Sequence, residues 1–133
     1  MEFIIKSGNP EKQRTSCLII GITESRRLTN AAKAIDAVSK KHLSNLLRRG
    51  DMDGKPGQSL VLYNVPGLLA DRVLLVGCGR DRELDDQKYR KIIENSTREL
   101  EQTGATEAVS YLPELNVKGR DIHWKIRQAV EVT

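Results

Sequence analysis

Two short, uninterrupted apolar runs constrain this chain more than any other feature. Cys17-Leu-Ile-Ile-Gly-Ile22 and Val73-Leu-Leu-Val76 have strand length and show no polar side. Such a run reads as a strand covered on both faces, as in parallel sheets packed between helices. After the first run the apolar period lengthens to that of a helix. Leu28, Ala31, Ala32, Ile35, Val38, His42, Leu43, Leu46 and Leu47 make one wide stripe. Thr29 or Asn30 is placed to cap its first turn, and Gly50 follows its end. The expectation is one helix along that whole stripe.

The remaining segments extend the alternation. Glu2 to Lys6 reads as a first strand, and Ser7 to Ser16 as a turn region with Gly8, Asn9 and Pro10. Asp51 to Gln58 carries Gly54, Pro56 and Gly57 and reads as a loop. Ser59 to Val65 reads as a strand stopped by Pro66-Gly67, and Arg72 to Val76 as the second buried strand. A helix is expected from about Asp85 to Thr103, with Asp85 at its cap and Leu84 and Tyr89 forming a hydrophobic staple. Ala108 to Leu112 is a further strand, and Asp121 opens a last helix whose Ile122, Ile126, Ala129 and Val130 share a face. The order β, β, α, β, β, α, β, α implies an α/β fold, a three-layer α/β/α arrangement around a mixed, mostly parallel sheet. No repeat or linker divides the chain, so residues 1–133 are expected to be a single domain.

Composition enters through charge. The net charge is +4. Residues 1–60 hold eleven Lys/Arg against six Asp/Glu, while residues 61–133 hold eleven against twelve. The excess gathers at Arg26, Arg27, Lys40, Lys41, Arg48 and Arg49. A basic surface of this kind suits a polyanion, and the alternative is a solvated helix face. With one Phe, one Trp and three Tyr, a base-stacking platform for single strands is not expected. No run approaches the ~18 apolar residues of a membrane span, and the opening residues lack the pattern of a secretory signal. Cys17 and Cys78 lie far apart inside apolar runs, as reduced core thiols of a cytoplasmic protein would.

Candidate chemistry is sparse. Val76-Gly77-Cys78-Gly79-Arg80 places two glycines between a buried strand and a helix, where backbone amides can approach a phosphate. The dinucleotide pattern asks for a third glycine where Arg82 stands, and Asp81 and Glu83 would repel phosphate. A sharp strand-to-helix turn at Gly77 and Gly79 is the competing reading. Cys78 has no base near it in sequence, and neither His42 nor His123 has a ligand-spaced neighbour. From the residues alone the chain reads as a binding or assembly module. A stand-alone domain binding a nucleotide or ADP-ribose at Gly77 to Arg80, or a small enzyme using Cys78, are the other options.

Several segments together resemble a known family. Leu46-Leu-Arg-Arg-Gly-Asp-Met-Asp-Gly-Lys-Pro-Gly-Gln58, Arg72-Val-Leu-Leu-Val-Gly-Cys-Gly79, Val117-Lys-Gly-Arg120 and Trp124-Lys-Ile-Arg-Gln-Ala-Val-Glu131 resemble the N-terminal domain of bacterial leucyl (cytosol) aminopeptidases. Met1-Glu-Phe3 and Lys6-Ser-Gly-Asn-Pro-Glu-Lys-Gln-Arg14 look like the start of the same proteins. The resemblance implies a macro-domain-like fold and a parent that removes N-terminal residues from peptides as a homo-hexamer. It also implies two divalent metals, Mn or Zn, held in a larger C-terminal catalytic domain. That domain's Asn-Thr-Asp-Ala-Glu-Gly-Arg-Leu signature is absent here, so this chain is expected to carry no catalytic residue, no metal and no cofactor of its own. In the enterobacterial branch the resemblance further implies duplex DNA as a partner. Charge placement nominates Arg26, Arg27, Lys40, Lys41, Arg48, Arg49, Lys118 and Arg120 for such contacts.

Overall fold

The computed structural model describes residues 2–5, 8–24, 27–80 and 82–132. Among these residues, six strands and four α-helices follow in the order β1 (Glu2–Ile5), β2 (Leu18–Thr23), β3 (Arg27–Leu28), α1 (Asn30–Val38), α2 (His42–Arg48), β4 (Ser59–Tyr63), β5 (Arg72–Gly77), α3 (Asp86–Glu101), β6 (Glu107–Ser110) and α4 (Ile122–Val132). Strands β1, β6, β2 and β5 run parallel in that spatial order; β4 closes the edge antiparallel to β5, and β3 pairs antiparallel with the end of β2. The sheet is therefore mixed and mostly parallel.

The apolar runs explain the layering, because successive side chains of a strand point to opposite faces. Cys17, Ile19, Leu74, Val76 and Cys78 pack on one side with Tyr89, Ile92, Ile93 and Leu100 of α3 and Ala129 of α4. Leu18, Ile20, Ile22, Val73 and Leu75 pack on the other with Ala31, Ala32 and Ile35 of α1 and Leu43, Leu46 and Leu47 of α2. Two closed cores thus sandwich one sheet, the three-layer arrangement the alternation requires.

The expected single helix is broken in two. Lys40 and Lys41 both take left-handed backbone (φ 57° and 63°), and the Lys41 amide donates to Asp36 O at 2.8 Å. That bond closes a Schellman ending with Lys40 in the position glycine usually fills. The turn hands over directly to α2, whose Ser44 amide and hydroxyl donate to the Asp36 carboxylate at 2.9 and 2.5 Å. One side chain of α1 thereby caps the next helix. Val38, placed in the apolar stripe, is 40% exposed beside this break.

Other boundaries shift by a few residues. β4 stops at Tyr63, β6 covers Glu107–Ser110, and Leu112–Glu114 is a 3-10 turn. Thr29 is the α1 cap, accepting from the Ala32 amide, and Asp85 caps α3 through the Lys88 amide. Gly50 takes left-handed backbone just beyond α2. The expected common face of α4 is corrected at Ala129. Ile122 and Val130 face outward, whereas Ala129 is buried together with Lys125 and Gln128. Lys6, Ser7, Arg26 and Asp81 lie outside the described residues.

Candidate functional site

Open parallel sheets offer ligands the crevice beyond the carboxyl ends of their strands. Here that edge carries the turn after β2, the Gly77–Arg80 turn after β5, and the 3-10 turn after β6. The loop at residues 53–58 folds back over it. Gly54 sits against the end of β2, where an added Cβ would stand 2.2 Å from Thr23 O. A Cβ on Gly77 would stand 2.0 Å from Lys55 O. The close backbone approach that these glycines permit is therefore made by the chain's own loop.

The amides of the glycine turn are used in the same way. Gly77 donates to Gln58 O at 2.8 Å, Cys78 to Ile22 O at 2.9 Å and Gly79 to Gly54 O at 2.9 Å. The loop itself is held by the Gln58 side-chain oxygen, which accepts from the amides of Asp53 and Lys55 at 3.2 and 3.0 Å. Glu24, overlooked in the sequence, donates its amide to Gly79 O at 2.8 Å and takes Arg80 on its carboxylate at 3.2 Å. Arg80 also faces Glu83 at 3.7 Å. The Gly-Cys-Gly segment has the geometry of a braced strand-to-helix turn, with each of its three amides donating to a backbone carbonyl.

Two clefts lie along this edge of the sheet. One of ≈ 270 Å³ has an apolar floor of Cys78, Leu84 and Ile92 under a rim that includes Glu24, Arg80, Lys88 and Lys91. The other, ≈ 260 Å³, is polar and lies between Arg27, Asn30, Lys33 and Glu114. The Glu114 carboxylate reaches the first turn of α1, where it accepts the Ala31 amide at 3.1 Å. An internal anion thus occupies the positive end of that helix. Sequence spacing gives no hint of this pairing, since the partners stand 83 residues apart.

The nucleophile and ligand candidates do not converge. Cys17 and Cys78 are free and buried, and burial pushes their thiols up to about 11 and about 12. Buried neutral thiols of this kind are unreactive. His42 opens α2 in one helical layer, whereas the exposed His123 stands in α4 in the other. Among the described residues no three His, Cys, Asp or Glu side chains come together to hold a metal ion.

The cationic candidates divide between the two layers. Arg27, Lys40, Lys41, Arg48 and Arg49 are exposed around α1 and α2. Arg49 pairs with Asp51 at 3.1 Å. Asp36, the one acid from 27 to 50, is turned to Ser44. Lys118 and Arg120 belong to the other side, before α4. Arg120 is engaged there, making a two-pronged contact with Asp86 and lying 4.8 Å over the Trp124 ring. Among the described residues no helix is long and apolar enough to cross a membrane.

The N-terminal domain model of the cytosol aminopeptidase family matches residues 19–133. A probable cytosol aminopeptidase of Pseudoalteromonas atlantica is 57% identical over 133 residues, the whole of this chain and 26% of that protein. One from Idiomarina loihiensis is 60% identical over 131 residues, 98% of this chain and again 26% of the relative. The chain thus spans about a quarter of the length of these relatives. Among solved structures, a tomato leucine aminopeptidase mutant superposes with a TM-score of 0.69 at 21% identity, over 99% of this chain and 26% of that one. The macrodomain of Mycobacterium tuberculosis DarG superposes with a TM-score of 0.70 at 9% identity, over 98% of this chain and 88% of that one. The likeness to both structures is one of fold, and the family model together with the close relatives places the chain by sequence: it belongs to the cytosol aminopeptidase family, as its N-terminal domain.

Proposed function

We propose that this domain is the non-catalytic part of a cytoplasmic, metal-dependent aminopeptidase, serving assembly and regulation while a C-terminal domain releases N-terminal amino acids from peptides. The observation that carries the reading is the match of the whole chain to cytosol aminopeptidases of which it spans 26%. Scattered histidines and buried, neutral thiols support a supporting role for these residues. The parent works as a homo-hexamer with two bound Mn or Zn ions, and those ions supply Lewis-acid chemistry at residues outside this domain. The test is release of leucine from a leucyl amide by the 133-residue chain and by the longer polypeptide of the same reading frame, each with Mn²⁺ or Zn²⁺. Activity confined to the longer protein is expected. Turnover by the 133 residues alone would overturn the reading.

A second role, contact with duplex DNA, is supported by the charge on the α1/α2 layer. Arg27, Lys40, Lys41, Arg48 and Arg49 share it, whereas Lys118 and Arg120 lie across the sheet and Arg120 is held by Asp86. Contacts through this layer neutralise phosphates and release counterions, so affinity falls steeply with salt. Titrating the intact protein with a duplex across salt concentrations tests it. Replacing Arg48 and Arg49 by Ala is expected to reduce the log–log salt slope by about 2. A slope that is flat, or unmoved by the double substitution, would refute DNA contact through this layer.

A further inference from the structure

Helix α4 packs Trp124 and Ala129 inward but keeps an aliphatic ridge on its outer side. Ile122, Ile126 and Val130 stand one turn apart and form a single ridge along it, and Ile122 and Val130 are 46% and 58% exposed. The inward side carries Lys125 and Gln128, each less than a tenth exposed, beside Ala129. Both buried polar groups are satisfied. Lys125 Nζ donates to Leu115 O at 2.9 Å, and Gln128 Oε1 accepts from Arg90 Nε at 2.7 Å. Tyr89 adds a hydroxyl bond to Lys125 O at 3.0 Å. These fixed contacts set the rotation of the helix, so the aliphatic ridge is not free to turn inward. A helix whose outer face met only water would gain by the opposite arrangement, since aliphatic burial is favourable and buried polar groups cost when poorly paired.

We infer that the Ile122–Ile126–Val130 ridge is an interdomain surface, covered in the intact aminopeptidase by polypeptide that follows α4. This rests on the reading of the chain as the N-terminal domain of a longer protein. The relatives extend to about four times the length of this chain, the matched part belongs to their N-terminal domain, and α4 is the last of the described elements. The polypeptide that follows continues directly from this helix, so it reaches the ridge with little loop-closure cost. The exposed His123 and Arg127 sit among the ridge residues. They ask for a partner face with an apolar stripe edged by carboxylates or carbonyls.

Cysteine accessibility reads this directly, because both native thiols are buried. Ile122→Cys and Val130→Cys are made separately in the 133-residue chain and in the full-length aminopeptidase, with Glu94→Cys on the exposed side of α3 as control. Maleimide labelling of the two ridge positions is expected to be fast in the 133-residue chain and at least tenfold slower in the longer protein, with the control fast in both. Equal rates at the ridge in the two proteins would overturn the inference. So would protection that appears in the 133-residue chain as its concentration rises, since the occupant would then be a second copy. An inactive full-length protein with a protected ridge counts only against the aminopeptidase reading, and an active one with an open ridge only against this surface. As a second readout, the pair Ile122→Asp and Val130→Asp leaves the melting temperature of the 133-residue chain unchanged. In the longer protein it speeds proteolysis after α4 severalfold, and an unchanged digestion rate speaks against the inference.

Discussion

Replacing Gly77 with Ala separates a braced turn from a ligand loop. The residue ends β5 without a positive φ, so alanine meets no backbone penalty there. Its only obstacle is space, for the new Cβ would lie 2.0 Å from Lys55 O and 3.1 Å from Gly54 C. Ordinary contact starts near 3.4 Å, and the 53–58 loop must retreat by about 1.4 Å. That retreat breaks the bonds from the Gly77 amide to Gln58 O and from the Gly79 amide to Gly54 O. Both donors are buried, and an unsatisfied buried amide costs about 1–3 kcal/mol. A loss of about 3 kcal/mol in all is expected, which for a domain of this size lowers Tm by roughly 10–15 °C. Urea denaturation followed by circular dichroism gives the free energy, and a thermal scan gives Tm. Were Gly77→Ala to cost less than about 0.5 kcal/mol, the level of an ordinary surface change, the loop would not be seated on the strand end and the crevice would be open to a phosphate.

Three further outcomes follow from the same geometry. Asp36→Ala removes the acceptor of the Ser44 amide and hydroxyl, and should cost about 1–2 kcal/mol in urea unfolding, with Asp36→Asn recovering much of it. Native Cys17 and Cys78, with thiols raised to about 11 and about 12, should resist a thiol-reactive disulfide reagent at pH 8 and react within minutes in denaturant; rapid reaction of the folded chain contradicts their burial. The Arg120 guanidinium holds the Asp86 carboxyl below its ordinary range. A depressed folded-state value means that the contribution is complete above the ordinary carboxylate range near 4 and fades as pH falls through the folded value. Stability measured from pH 7 down to pH 2 should therefore differ in its acid limb between the parent and Asp86→Asn, and superimposable limbs would dismiss the pair.

The sheet was legible because burial on both faces leaves an unmistakable mark: Cys17–Ile22 and Val73–Val76 have no polar position to confuse their period. The caps at Thr29 and Asp85 were legible for a similar reason, since each is local and its partner lies three residues away. The break after Val38 was not, because two lysines adopt left-handed backbone where the pattern to look for is glycine or proline. The helical period of α4 grouped Ala129 with Ile122, Ile126 and Val130 on one face, whereas Ala129 is buried and Ile122 and Val130 are exposed. Periodicity identifies a face but not what covers it, and here the inward contacts are polar bonds from Lys125 and Gln128 to partners on other elements. Gly77 shows the same limit at the site. A glycine after a buried strand announces close approach of some backbone, and only the fold reveals that the approaching group is Lys55 O.

The carboxylate of Glu114 on the first turn of α1 has a consequence for how the domain is made. β6, at residues 107–110, lies between β1 and β2 in the sheet, and the turn that follows it supplies the acceptor for the Ala31 amide. Neither the sheet nor the first helix is complete until that late segment has left the ribosome. At about 5–20 residues per second, the stretch from residue 31 to residue 114 takes on the order of ten seconds to synthesise. Throughout that interval the apolar β2 and the inner side of α1 lack their final neighbours. The sheet and the first helix therefore reach their final contacts late, and the weight of distant pairings makes the last stage of folding slow compared with a fold of local contacts.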